Sequence, residues 1–90
     1  MEFRHKGLRR LFEEGDTRGV SSQPIPKLRR ILGALQSARK PEDMDLPGFK
    51  LHPLYHDRDG QWAVTVTGNW RVVFFFTDGE PTDIDLVDYH

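Results

Sequence analysis

Four histidines stand in the chain, His5, His52, His56 and His90. An imidazole is the side chain that exchanges protons near neutral pH. His52 follows Lys50 by two residues. Arg71 sits in a strand-like run, on the face opposite Trp70, Val72 and Phe74. The terminal Asp88-Tyr89-His90 adds an acid, an aromatic ring and another imidazole directly after an apolar stretch. These types suit work on RNA. Imidazoles carry acid–base chemistry, a guanidinium stabilises charge on a reacting phosphate, and a tyrosine stacks on a base. Neighbouring strands can bring Arg71 and Asp88-Tyr89-His90 together. A solvated surface and a frayed terminus account for the same residue types.

Other chemistries find little support. His52 and His56 have the H-x-x-x-H spacing that gathers two imidazoles on a helix, but Pro53 lies between them and no third ligand is evident. No metal is expected. Asp57-Arg58-Asp59-Gly60 resembles the start of a calcium loop, yet the twelfth position of such a loop is Gly68 and not glutamate. There is no P-loop, no dinucleotide fingerprint and no serine in a nucleophile elbow, so no cofactor is expected. The chain has no cysteine, which excludes thiol catalysis, thiolate zinc and a disulfide scaffold.

Periodicity gives the elements that must hold these residues. Residues 3–5 suit a short strand. Residues 6–14 read as a helix, with Leu8, Leu11 and Phe12 on one stripe and Gly15 as its C-terminal cap. Residues 15–24 are loop-like. A second helix is expected over 26–38, with Ser22 as candidate N-cap and Leu28, Ile31, Leu32 and Leu35 buried. Gly33 weakens that helix or marks close packing. Pro41 ends it, and 41–48 form an acidic connector. Residues 49–54 make a short edge strand interrupted by Pro53, and 57–60 a turn. Strands follow over 62–67, 70–76 and 82–87, joined by the hairpin signals Gly68-Asn69 and Asp78-Gly79. The fold class is therefore α+β: two N-terminal helices on one face of a curved, mainly antiparallel sheet of three to four strands.

Ninety residues form one domain, 1–90, with no room for a second core. No apolar run spans a membrane. The N-terminal Met1-Glu2-Phe3-Arg4-His5-Lys6 has no apolar signal region. A soluble cytoplasmic domain is the expectation. The net charge of −1 does not suggest a nucleic-acid binder, but its distribution is uneven. Residues 1–40 carry ten Lys or Arg against four acids, and residues 41–90 carry three against ten. Such a chain can present one positive face despite its total, and simple solvation is the bland alternative.

The ordered segments Phe3-Arg4-His5-Lys6-Gly7-Leu8, Leu11-Phe12-Glu13, Lys50-Leu51-His52-Pro53-Leu54, Gly68-Asn69-Trp70-Arg71 and Val87-Asp88-Tyr89-His90 together resemble the HigB branch of the RelE/ParE toxin superfamily. With the intervening helix they cover essentially the whole chain. The resemblance implies a small α+β toxin fold and a ribosome-dependent mRNA endonuclease acting in the ribosomal A site. It implies neutralisation by a HigA-like helix-turn-helix antitoxin. It also implies metal-free chemistry in which the ribose 2′-OH attacks the adjacent phosphate and the 5′-oxygen leaves. Carried over by position, His52 and His90 become the acid–base pair, in either order. Arg71 stabilises the pentavalent phosphate, Asp88 orients an imidazole or holds substrate, and Tyr89 stacks on a nucleotide. Lys50, Tyr55 and His56 are the substrate-binding candidates.

Two departures stand out. Relatives commonly read His-Pro-Leu-Lys-Gly-Asp, whereas this chain reads His52-Pro53-Leu54-Tyr55-His56-Asp57. A lysine charge is missing at Tyr55, and either His56 substitutes as a partial cation or Tyr55 stacks. Some relatives also carry a basic residue where Thr67 stands. Fewer cations imply weaker RNA binding and lower salt sensitivity. Two other functions fit the same fold: a ParE-like inhibitor of DNA gyrase, against which Asp88-Tyr89-His90 argues, and a toxin-like module that mainly binds its antitoxin.

Overall fold

Residues 1–88 are described by the structure, a computed structural model. Helix α1 (Lys6–Glu14) starts where His5 leaves extended geometry and its Nδ1 accepts the Leu8 N–H at 3.1 Å. The imidazole thereby satisfies a backbone donor that would otherwise be orphaned. The helix ends at Gly15, whose φ of 70° is the left-handed cap conformation. Leu8 and Leu11 are buried, and Phe12 packs on Phe3 with ring centroids 5.7 Å apart. Arg9, Arg10, Glu13 and Glu14 are exposed.

Helix α2 (Ile25–Ser37) buries Leu28, Ile31, Leu32 and Leu35 as their spacing requires. Its start differs from expectation. The N-cap is Pro24 and not Ser22, and no side chain caps the end. The fixed φ of Pro24 sets the turn, and Pro26 in the first turn has no N–H to leave unsatisfied. Gly33 marks no close packing either: a β-carbon there would meet nothing within 4 Å. The close approach is at Gly7, where a β-carbon would lie 2.7 Å from the Gly19 carbonyl oxygen. Short 3-10 turns occupy Arg18–Val20 and Pro41–Met44 within the two connectors.

Four antiparallel strands follow in the order β1-β2-β3-β4: β1 (His52–Pro53), β2 (Trp62–Thr67), β3 (Trp70–Thr77) and β4 (Glu80–Asp88). The expected strand at 3–5 reduces to one parallel bridge, Phe3 with Ile84. The edge strand expected over 49–54 keeps two residues of ladder because Lys50 has a left-handed φ of 53°. The last strand starts at Glu80, ahead of the expected Thr82, with Pro81 opposite Phe76.

Val64, Val66, Val72, Phe74, Ile84 and Leu86 turn toward the helices and share one core with their apolar stripes. Both helices thus lie on one face of a four-stranded sheet, the α+β arrangement expected. The opposite, open face has its own small cluster of Leu54, Ala63 and Val73, flanked by Val87.

Candidate active site on the open sheet face

Register decides which side chains share the open face. His52 pairs with Ala63, which pairs with Val73, which pairs with Asp85. Directly opposed residues point the same way. The next same-face row holds Thr65, Arg71 and Val87. Lys50 lies two residues before His52, beside the Phe49 carbonyl that accepts the Thr65 N–H at 2.7 Å. His52, Arg71 and the approach through Lys50 therefore gather around one region. His52 and Arg71 are two strands and one same-face step apart, on the order of 10 Å between backbones.

The local bonds orient these groups. Nδ1 of His52 lies 2.8 Å from the Lys50 carbonyl oxygen. A carbonyl only accepts, so Nδ1 donates, and Nε2 is the nitrogen left to exchange a proton with substrate. The left-handed turn at Lys50 is what brings that carbonyl back to the ring. Arg71 folds toward the hairpin, and its Nη1 donates to the carbonyls of Gly68 at 2.7 Å and Trp70 at 3.0 Å. Both bonds run through Nη1, so Nε and Nη2 remain for a phosphate. Neutral carbonyls fix the guanidinium without cancelling its charge.

Asp88 ends β4 opposite Trp70. It lies one residue past the partner of Arg71, and alternation gives it the Trp70 side of the sheet. Tyr89 and His90 lie outside the described residues. Tyr55 and His56 stand on the loop that joins β1 to β2. Together with His52, Pro53 and Leu54 they wall a concavity of about 500 Å³. Tyr55 is 66% exposed, and His56 has a left-handed φ of 61°. Among the described residues no three His, Cys, Asp or Glu side chains come together as metal ligands.

Sequence reasoning passed over Leu54 and Asp85. Leu54 is buried under the open face and anchors the segment that carries Tyr55. Asp85 occupies the open-face row of His52, with Arg4 3.9 Å away. Alternation in β4 pointed to that face for Asp85. Nothing local announced that the chain start would pair alongside it.

A small four-stranded antiparallel sheet backed by two helices is consistent with the fold of RelE-like toxins. A family model described as the RelE-like toxin of type II toxin-antitoxin system HigB matches residues 1–90, and the chain belongs to that family. It is 41% identical over 88 residues to the Endoribonuclease HigB of Proteus vulgaris, covering 98% of this chain and 96% of that protein.

Proposed function

We propose that this toxin endoribonuclease, acting as one domain over residues 1–90, cuts mRNA in the ribosomal A site. The observation that carries the proposal is His52 and Arg71 on one open face, each oriented by a backbone carbonyl. Membership of the toxin family and the relative named an endoribonuclease support it. Transesterification needs a base at the ribose 2′-OH, a cation at the phosphate and an acid at the 5′-oxygen. Neutral His52 offers Nε2 to take the 2′-OH proton. Arg71 offers Nε and Nη2 to the phosphate as charge builds on it. His90 returns a proton to the leaving 5′-oxygen, which yields a 2′,3′-cyclic phosphate and a 5′-hydroxyl. Asp88 positions the terminal segment, Tyr89 stacks on a nucleotide, and Lys50, Tyr55 and His56 hold the RNA. The partners are a HigA-like helix-turn-helix antitoxin, the ribosome and mRNA in the cytoplasm.

The test is cleavage of a defined mRNA on programmed ribosomes, with 5′ ends mapped by primer extension and a control without ribosomes. Cuts confined to the A-site codon, absent from the control and from His90→Ala, are the expected result. Intact mRNA with the folded protein on well-formed ribosome complexes rejects the ribosomal A-site reading.

A further inference from the structure

The concavity beside His52 lacks the cation a phosphate clamp needs. Its walls are His52, Pro53, Leu54, Tyr55 and His56, with no lysine or arginine among them. The following residues Asp57 and Asp59 add negative charge close by. What the concavity does present is an aromatic side chain, Tyr55, 66% exposed.

That ring is held on a stiff support. Leu54, the residue before it, is 4% exposed and packs on Ala63 and Val73 beneath the open face. The Leu54 N–H donates to the Gln61 carbonyl at 2.9 Å, which closes the loop at its base. Within the loop Arg58 N–H donates to the Tyr55 carbonyl at 3.3 Å and Gln61 N–H to the Arg58 carbonyl at 2.9 Å. The Arg58 guanidinium donates to Gln61 Oε1 at 3.1 Å. At the far end Gly60 sits against Phe75, whose ring would be 3.4 Å from a β-carbon there. The left-handed backbone at His56 turns the chain immediately after Tyr55. A non-glycine residue in that conformation is strained, and strain of this kind persists where the surroundings impose it.

From this geometry we infer that Tyr55 is a nucleobase platform: it stacks on a base of the mRNA flanking the scissile phosphate, and the Tyr55–His52 concavity receives that base. The inference rests on the RNA reading above and deepens it. Stacking holds any base by its π face and draws little on counterion release. The site thus trades the salt-sensitive grip of a lysine for a contact that favours large, strongly stacking bases. His52 lies in the same concavity, so the stacked base also places the adjoining ribose within reach of the imidazole.

The experiment uses the full chain and ribosomes programmed with an A-site codon that contains 2-aminopurine and 2′-O-methyl riboses, which block cleavage. Fluorescence reports stacking, and pelleting of the same samples reports ribosome binding. The native protein and Tyr55→Phe are expected to quench the probe. Tyr55→Leu, apolar but not aromatic, is expected to lose the quench and to bind about tenfold more weakly. Tyr55→Lys is expected to bind with a steeper salt dependence and no quench. Binding without quench by the native protein, or equal quench by Tyr55→Leu, overturns the platform alone. Failure of the native protein to pellet with ribosomes overturns the ribosomal reading, and the platform with it.

Discussion

The 2.8 Å bond from His52 Nδ1 to the Lys50 carbonyl occupies one ring nitrogen and leaves Nε2 to exchange a proton. The same bond forms in the neutral ring and in the cation, so the proposed division, His52 as base and His90 as acid, is one for chemistry to separate. Removal of either imidazole is expected to cost about 10²- to 10⁴-fold in single-turnover cleavage. A substrate with sulfur in place of the 5′-oxygen has a leaving group that needs no acid. It is expected to restore cleavage by His90→Ala and not by His52→Ala, and the reverse pattern exchanges the roles. A second residue-scale prediction concerns the loop after α1. Two guanidinium hydrogen bonds from Arg18, at 3.0 and 2.8 Å, and the Arg18 backbone N–H hold the Asp16 carboxyl well below the usual carboxylate range. A depressed carboxylate contributes stability above its unfolded pKa of about 3.9 and loses it as pH falls toward the folded value. Asp16→Asn is expected to lower the urea midpoint at pH 7. The gap from the native protein should close as pH falls below about 4, and a gap that stays constant assigns the loss to packing.

Among the elements, two helical glycines are expected to respond to alanine with opposite signs. In Gly7→Ala the new β-carbon would meet the Gly19 carbonyl oxygen at 2.7 Å and His5 Cε1 at 2.8 Å. The first of these is backbone and cannot swing aside, so about 1–3 kcal/mol of destabilisation is expected. In Gly33→Ala the new atom meets nothing within 4 Å, and helix propensity alone should add up to about 1 kcal/mol. Urea unfolding at unchanged slope measures both. The contrast shows what one-dimensional pattern carries. The stripe Leu8, Leu11, Phe12 and the alternation through β2 and β3 were legible because each residue's environment follows from its neighbours in sequence. Arg71 came out on the face opposite Trp70, Val72 and Phe74 for that reason. The crossing of Gly7 over Gly19, the chain start pairing with Ile84 and the burial of Leu54 depend on contacts between distant segments. Local spacing says nothing about them. The left-handed backbone at Lys50, which aims the carbonyl that fixes His52, was equally hidden, because lysine gives no sign of a positive φ. Asp88 was expected beside Arg71, and it is beside it in strand order, but alternation gives it the other side of the sheet.

At the scale of the molecule, the helices and the candidate site lie on opposite faces of one sheet. Among the described residues no helix is long and apolar enough to cross a membrane. Arg9, Arg10, Arg29 and Arg30 are all exposed on the helical layer. A ligand that touches both these cations and the open face must wrap the sheet edge, as a large folded RNA does. An antitoxin on the helical layer could bind without covering the site. The two uses of the basic layer separate by salt. Arg30 is a poor probe because its guanidinium lies 5.4 Å over the Phe49 ring and its loss disturbs packing. Arg9→Gln combined with Arg29→Gln removes two exposed charges and leaves the core untouched. If both arginines contact ribosomal RNA phosphates, the slope of log affinity against log salt should fall in magnitude by about 1.5. The rate of cleavage within the bound complex should stay unchanged, since neither residue is on the open face. An unaltered ribosome slope, with a weakened antitoxin complex, would instead assign the basic layer to the antitoxin.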